Sequence, residues 1–174
     1  MSSFAASVKS KTVYIPTGIA GFDDVFGGGL VAGTVFLIGG FPGSGKSTLM
    51  CYVVDAVAKS KGCALYASAE ESDEGVTRIA HRLGLVDDNV KVMGNQCSVE
   101  KVLAAAKKVH AFLTVFDSAQ KFASDFVGGA PGSLVQCKAV GEVIAAHCRS
   151  TRTDRKSTRL NSSHIQKSRM PSSA

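Results

Sequence analysis

The chain has 174 residues, 45% of them hydrophobic and 20% charged, which suits one globular domain and excludes a disordered or fibrous class. Its net charge is +6, but residues 151–174 hold six basic residues and one acid, leaving +1 for residues 1–150. The basic balance therefore belongs to the C-terminal stretch and is no nucleic-acid footprint of the folded part. No apolar run reaches about 18 residues, which argues against a membrane-spanning helix. No basic-then-apolar start with a small-residue cleavage site is visible, so a soluble, cytoplasmic protein is expected.

Residues 1–12 are polar and Ser/Lys-rich and read as a flexible leader. Residues 13–29 contain a short amphipathic stretch closed by Gly27, Gly28 and Gly29, which stop a helix and allow a reversal. Thr34–Ile38 (T-V-F-L-I) is a β-branched and apolar run with the signature of a buried strand. A Gly-rich loop follows, then a helix from about Lys46 to Lys59. The alternation repeats: strand Cys63–Ala67, helix Asp73–Leu83, strand Val90–Met93, helix Val99–Val109, strand Ala111–Phe116 ending at Asp117. Residues 124–133 are a Gly/Pro/Ser loop, and Leu134–Cys148 is a helix. Strands alternating with helices predict an α/β fold with a mostly parallel sheet covered on both faces. Ligands in such folds sit at the carboxyl ends of the strands.

After Ser150 the hydrophobic period stops, and residues 151–174 read as a disordered tail. Asp154–His164 (D-R-K-S-T-R-L-N-S-S-H) and Lys167–Ala174 (K-S-R-M-P-S-S-A) resemble a translated sequencing-library adapter. Residues 154–174 are therefore set aside from functional reasoning. The folded unit is expected over 13–150 and incomplete at its C-terminal side.

The five cysteines, Cys51, Cys63, Cys97, Cys137 and Cys148, include no C-x-x-C pair, so no zinc site is expected. Their odd number in a chain without a signal peptide argues against a disulfide framework.

Gly40-Phe41-Pro42-Gly43-Ser44-Gly45-Lys46-Ser47 matches G-x-x-x-x-G-K-[ST] at every fixed position, between a predicted strand and a predicted helix. Glycines let the backbone curl so that several N–H groups face one anion, and the helix N-terminus adds its positive dipole end. Lys46 is expected on the β- and γ-phosphates of a nucleoside triphosphate, Ser47 on Mg²⁺, and Thr48 near the α-phosphate. A phosphate loop also needs an acid at a neighbouring strand end, and Asp117 meets that need, though an Asx turn at a strand end uses the same residue. Hydrolysis needs a group that orients or deprotonates water. Glu70 and Glu71 follow the strand Cys63–Ala67 on the expected face; one carboxylate is enough, and a solvated pair at a helix start is the alternative.

Thr17-Gly18-Ile19-Ala20-Gly21-Phe22-Asp23, Gly27-Gly28-Gly29-Leu30 and the phosphate loop resemble the opening of a RecA-like ATPase core, a block shared with KaiC-like ATPases. Ser68-Ala69-Glu70-Glu71-Ser72, Arg82-Leu83-Gly84, Asp117-Ser118-Ala119-Gln120 and Ala130-Pro131-Gly132-Ser133 with Gln136 narrow the resemblance to the RadA/Sms family of bacterial DNA-repair ATPases, over about residues 14–149. That resemblance implies ATP and Mg²⁺, ring-shaped homo-oligomers such as hexamers, and single-stranded or branched DNA as partner. It also implies action in recombination, including branch migration, with a recombinase as a further partner. Residue by residue it makes Lys46 and Ser47 nucleotide and metal ligands, Asp117 the second metal-site acid, and Glu70 the water-activating base. Gln120 becomes a relay of nucleotide state toward a DNA-facing loop at about 124–133. Lys121 and Lys138 flank that loop, Gly128 and Gly129 give it mobility, Ser133 closes it, and Phe122 and Phe126 are candidates for stacking on bases. The chain departs from the family in lacking its four-cysteine zinc element, its K-N-R-F-G motif and its protease-like domain. It also carries Phe41 where an acid is common and Ala69 where glycine is common. A KaiC-like switch acting on protein partners, and an inactive nucleotide-binding fragment, are the competing readings. The absence of N-K-x-D and L-S-G-G-Q lowers GTPase and transporter readings.

Overall fold

A computed structural model describes residues 14–167 of the chain, with side chains described through Thr151. The leader reading of 1–12 lies outside the described residues, as do residues 168–174 and the side chains of the adapter-like stretch before them.

The chain opens with two short strands, β1 (Tyr14–Ile15) and β2 (Leu30–Val31), paired antiparallel around helix α1 (Ala20–Val25). The turn before α1 is tied by one carboxylate. Asp23 accepts hydrogen bonds from the Thr17 amide at 2.9 Å, the Thr17 hydroxyl at 2.8 Å and the Gly18 amide at 2.9 Å. After the phosphate loop come α2 (Lys46–Lys61), β3 (Ala64–Ser68), α3 (Asp73–Arg82), β4 (Val90–Met93), α4 (Val99–Lys108), β5 (Leu113–Asp117) and α5 (Leu134–Lys167). Strands β4, β3 and β5 form a parallel sheet in that order, with β3 central. β3 is buried along its whole length, as the central strand of a parallel sheet requires.

Side chains alternate across the sheet and build one core on each face. Leu65 and Ala67 of β3 join Val102, Leu103 and Ala106 of α4, together with Phe122 and Val140. Ala64 and Tyr66 face the other way, against Cys51, Val54 and Ala58 of α2 and Val76 of α3. α2 also buries Val53 and Val57 against Ile15, Phe22 and Leu30. The helix that opens at the phosphate loop is thus packed along two stripes. Each such buried aliphatic side chain contributes about 1.5–3 kcal/mol, so the loop is carried by a rigid element. Helix caps follow the sequence: Ser72 and Ser98 accept from the amides of Gly75 and Lys101 at the starts of α3 and α4.

Two elements differ from expectation. Thr34–Ile38 joins neither sheet. Its Phe36 and Ile38 pack on the cluster that includes Phe112 and Leu113, whereas Val35 and Leu37 are 46% and 87% exposed. An apolar β-branched run marks a chain able to pair; β5 is an edge strand of the sheet, yet the run forms no ladder with it and contributes only alternate side chains to the core. The last helix runs to Lys167 instead of ending at Cys148, where a disordered tail was expected to follow. No glycine or proline lies between Gly141 and Pro171, so nothing in the backbone breaks the hydrogen-bond ladder once begun.

Candidate functional site

The phosphate loop connects Ile38 to α2 as a tight turn. Gly43 and Gly45 have φ of +77° and +85°, a region that side-chain-bearing residues rarely adopt. Gly45 is the N-cap of α2 and no side chain bonds the first-turn amides, so the amides and the dipole face the loop. The Lys46 ammonium lies back over the loop, donating to the carbonyl oxygens of Gly40 at 2.9 Å and Phe41 at 2.8 Å. Pro42, Ser44 and Ser47 are exposed and Thr48 is half-buried. Phe41, which stands where an acid was noted as common, is 86% exposed.

Period-two alternation decides which strand residues can approach this loop. Tyr66 faces α2, so Ser68 follows it on that side of the sheet, and Val115 brings Asp117 with it. The register pairs Ser68 with Asp117, and the Ala69 amide donates to the Asp117 carbonyl at 3.0 Å. The buried Ser68 hydroxyl accepts from the amides of Glu70 at 3.2 Å and Glu71 at 2.9 Å, which turns the chain just past β3. Glu70 then reaches across to β5, where its Oε1 accepts from the Ser118 hydroxyl at 2.9 Å. Glu71 goes another way, its carbonyl receiving the Asn95 amide at 2.9 Å. Of the two glutamates, Glu70 is the one brought beside Asp117.

Tyr66 is a site residue that the sequence reading missed. It is 3% exposed, and its phenol donates a hydrogen bond to Asp117 Oδ2. Burial, then the bond to Asp117 and that carboxylate's charge, push the phenol far up, so it keeps its proton and acts as donor. The oxygen donors of Ser47, in the first turn of α2, and Asp117, at the end of β5, are of the kind that suit a hard divalent cation that keeps several waters and binds phosphate oxygens. Among the described residues no cluster of three or more His, Cys, Asp or Glu could hold a metal. A cavity of about 450 Å³ opens between α2, α3 and β4, lined among others by Asp55, His81 and Val92. Of the site residues Tyr66 alone lines it, so it is not the nucleotide site.

The 124–133 loop is held at its base rather than free. Gln136, 2% exposed, accepts from the Ser124 amide at 2.8 Å and donates to the carbonyls of Val127 and of Gly129, the latter at 3.4 Å. Glu100 of α4 accepts from the Ser124 hydroxyl at 2.5 Å and the Asp125 amide at 3.0 Å. Phe122 is fully buried, edge-on to Phe116 with ring centroids 5.1 Å apart, so the expectation that it stacks on bases is wrong: it is core. Phe126 is 85% exposed at the loop tip. Gly128, Gly129, Lys121 and Gln120 are exposed, and no described hydrogen bond involves the Gln120 side chain. Ser133 Oγ accepts from the Gln136 amide at 3.4 Å and so caps α5, and Lys138 is spent weakly on Glu142 at 4.0 Å.

Burial pulls the Glu100 carboxyl up, but the bonds from Ser124 and Asp125 outweigh it, and the net shift is downward. A depressed carboxyl contributes stability above its ordinary value of 4.5, lost as pH falls through the lower folded value. Glu100→Gln is therefore expected to cost about 1 kcal/mol at neutral pH and to flatten the acid side of the stability curve. Thermal melts from pH 7 to pH 3 check this; equal acid slopes for both proteins would contradict it.

The family model described as "ATPase: KaiC" matches residues 15–119, which span β2, the phosphate loop, Tyr66, Glu70 and Asp117. The chain belongs to the KaiC-type ATPase family. Within it the likeness is to RadA-type proteins with a RecA-like core. The chain is 37% identical over 137 residues to the DNA repair protein RadA of Pseudomonas aeruginosa, covering 79% of this chain and 30% of that protein. It is 39% identical over 133 residues to the RadA of Aquifex aeolicus, covering 76% and 30%. It is 40% identical over 122 residues to that of Escherichia coli, covering 70% and 26%. The chain thus spans under a third of these relatives' length. Among the described residues no helix is long and apolar enough to cross a membrane.

Proposed function

We propose that the chain is the ATP-binding part of a DNA repair ATPase, which binds ATP with Mg²⁺, hydrolyses it, and couples that to single-stranded or branched DNA. What supports this reading is the phosphate loop at the start of α2, Asp117 at the end of β5 paired in register with β3, and Glu70 bonded by the neighbouring Ser118. The amides of the loop and of the first turn of α2 would bind the phosphates, and Lys46 would leave the Gly40 and Phe41 carbonyls for the β- and γ-oxygens. Ser47 and Asp117 would hold the cation, which supplies charge neutralisation at the transferring phosphoryl group. Glu70, held by Ser118, would orient and deprotonate the attacking water. Gln120, one short turn past Asp117, would carry nucleotide state toward the 124–133 loop. There Phe126 would stack on a base while Lys121 and Lys138 attract the backbone.

Branch migration, ring assembly as a hexamer, a recombinase partner and a bacterial cytoplasmic setting belong to this proposal as what the resemblance to RadA/Sms ATPases implies; the names of the relatives speak of DNA repair. The alternative of a switch acting on protein partners draws on the KaiC description of the family model. DNA separates the two. Phosphate release by the complete protein is expected to rise at least severalfold with single-stranded DNA and to fall back as salt increases. Turnover indifferent to DNA would leave the motor reading without support and favour the switch.

A further inference from the structure

We propose that Tyr66 is a positioning residue for the metal site, its phenol fixing the Asp117 carboxylate for a hard divalent cation shared with the Ser47 hydroxyl. This rests on the magnesium–nucleotide reading above. The three residues come from three elements: the first turn of α2, the middle of β3 and the end of β5. The phenol donates to the Asp117 carboxylate. It is fixed by burial in the α2 core, so its hydroxyl is a rigid reference point. Among the described hydrogen bonds, the one from Tyr66 is the only one the Asp117 carboxylate accepts. Without it the carboxylate turns freely about its terminal torsion, which is broad and roughly two-fold. With it, Oδ2 is engaged and Oδ1 is left for a cation. The residue therefore prepays the ordering that metal binding would otherwise demand.

Tyr66→Phe removes the hydroxyl and keeps the ring. The Mg²⁺ concentration giving half-maximal binding of a fluorescent ATP analogue is expected to rise about tenfold, the scale of a lost hydrogen bond to a charged group. Affinity for the same analogue in EDTA is expected to stay within twofold of the parent. An unchanged Mg²⁺ midpoint overturns the inference, as does an equal loss with and without Mg²⁺, which would mark a structural role. A parent protein that binds the analogue with no Mg²⁺ dependence sinks the metal reading itself. Because Tyr66→Phe could unfold the chain, a second measurement uses Tyr14→Phe with Tyr52→Phe, leaving Tyr66 as the single tyrosine. Its absorbance is expected to shift when Mg²⁺ is added to the ATP-bound protein, and no shift overturns the inference.

Discussion

Lys46→Ala is expected to abolish nucleotide binding, with affinity for Mg·ATP falling about 100- to 1,000-fold. The lysine is the one cation on the loop, and each hydrogen bond between it and a phosphate oxygen is charged on both sides, worth about 1.5–3 kcal/mol. Two such bonds account for the range. The fold should barely notice. The Lys46 ammonium bonds only carbonyls and a hydroxyl of the exposed loop, and removing it leaves no buried charge behind. A change in stability within about 1 kcal/mol is the expectation. Isothermal titration beside a thermal melt checks both halves. Binding within tenfold of the parent would remove the phosphate loop from the mechanism, and a collapsed melt would make the affinity loss uninformative about the loop.

Glu70→Gln is expected to separate hydrolysis from binding. A positioned general base contributes about 10²- to 10⁴-fold, so single-turnover hydrolysis should drop by that much. ATP affinity should remain within a few-fold, because Glu70 bonds Ser118 and not the phosphate loop. Glutamine keeps the acceptor oxygen for Ser118, so the local geometry survives. Glu71→Gln is the internal control and should leave hydrolysis within a few-fold of the parent, since the Glu71 carboxylate lies against Gly75 of α3 and not against β5. Equal losses for the two variants would mean that the pair acts only through charge. A larger loss at Glu71 would reverse the assignment.

Gly40–Ser47 was legible at once because a phosphate loop is contiguous: the turn, the amides and the cation lie within eight residues, and no distant contact is needed to make them converge. The helices and strands from Lys46 to Asp117 were legible for a similar reason, since period and caps are local properties. Glu70 and Glu71 are adjacent in sequence and alike in chemistry, so only the turn past β3, set by the buried Ser68 hydroxyl, tells them apart. Phe122 and Phe126 are equally aromatic; one is core because it meets Phe116 and Val140, and the other is surface because the loop beyond Ser124 leaves the sheet.

The sequence by itself determined the phosphate loop, the strand–helix alternation and the two strand ends that carry acids, because each is written within about ten consecutive residues. Tertiary structure alone decided that Tyr66 bonds Asp117 across 51 positions of chain, that Gln136 and Glu100 clamp the 124–133 loop, and that Thr34–Ile38 joins neither sheet. Those outcomes depend on strand register and on which edge is free. Register is a relation between distant segments, fixed only when both cores close around the sheet.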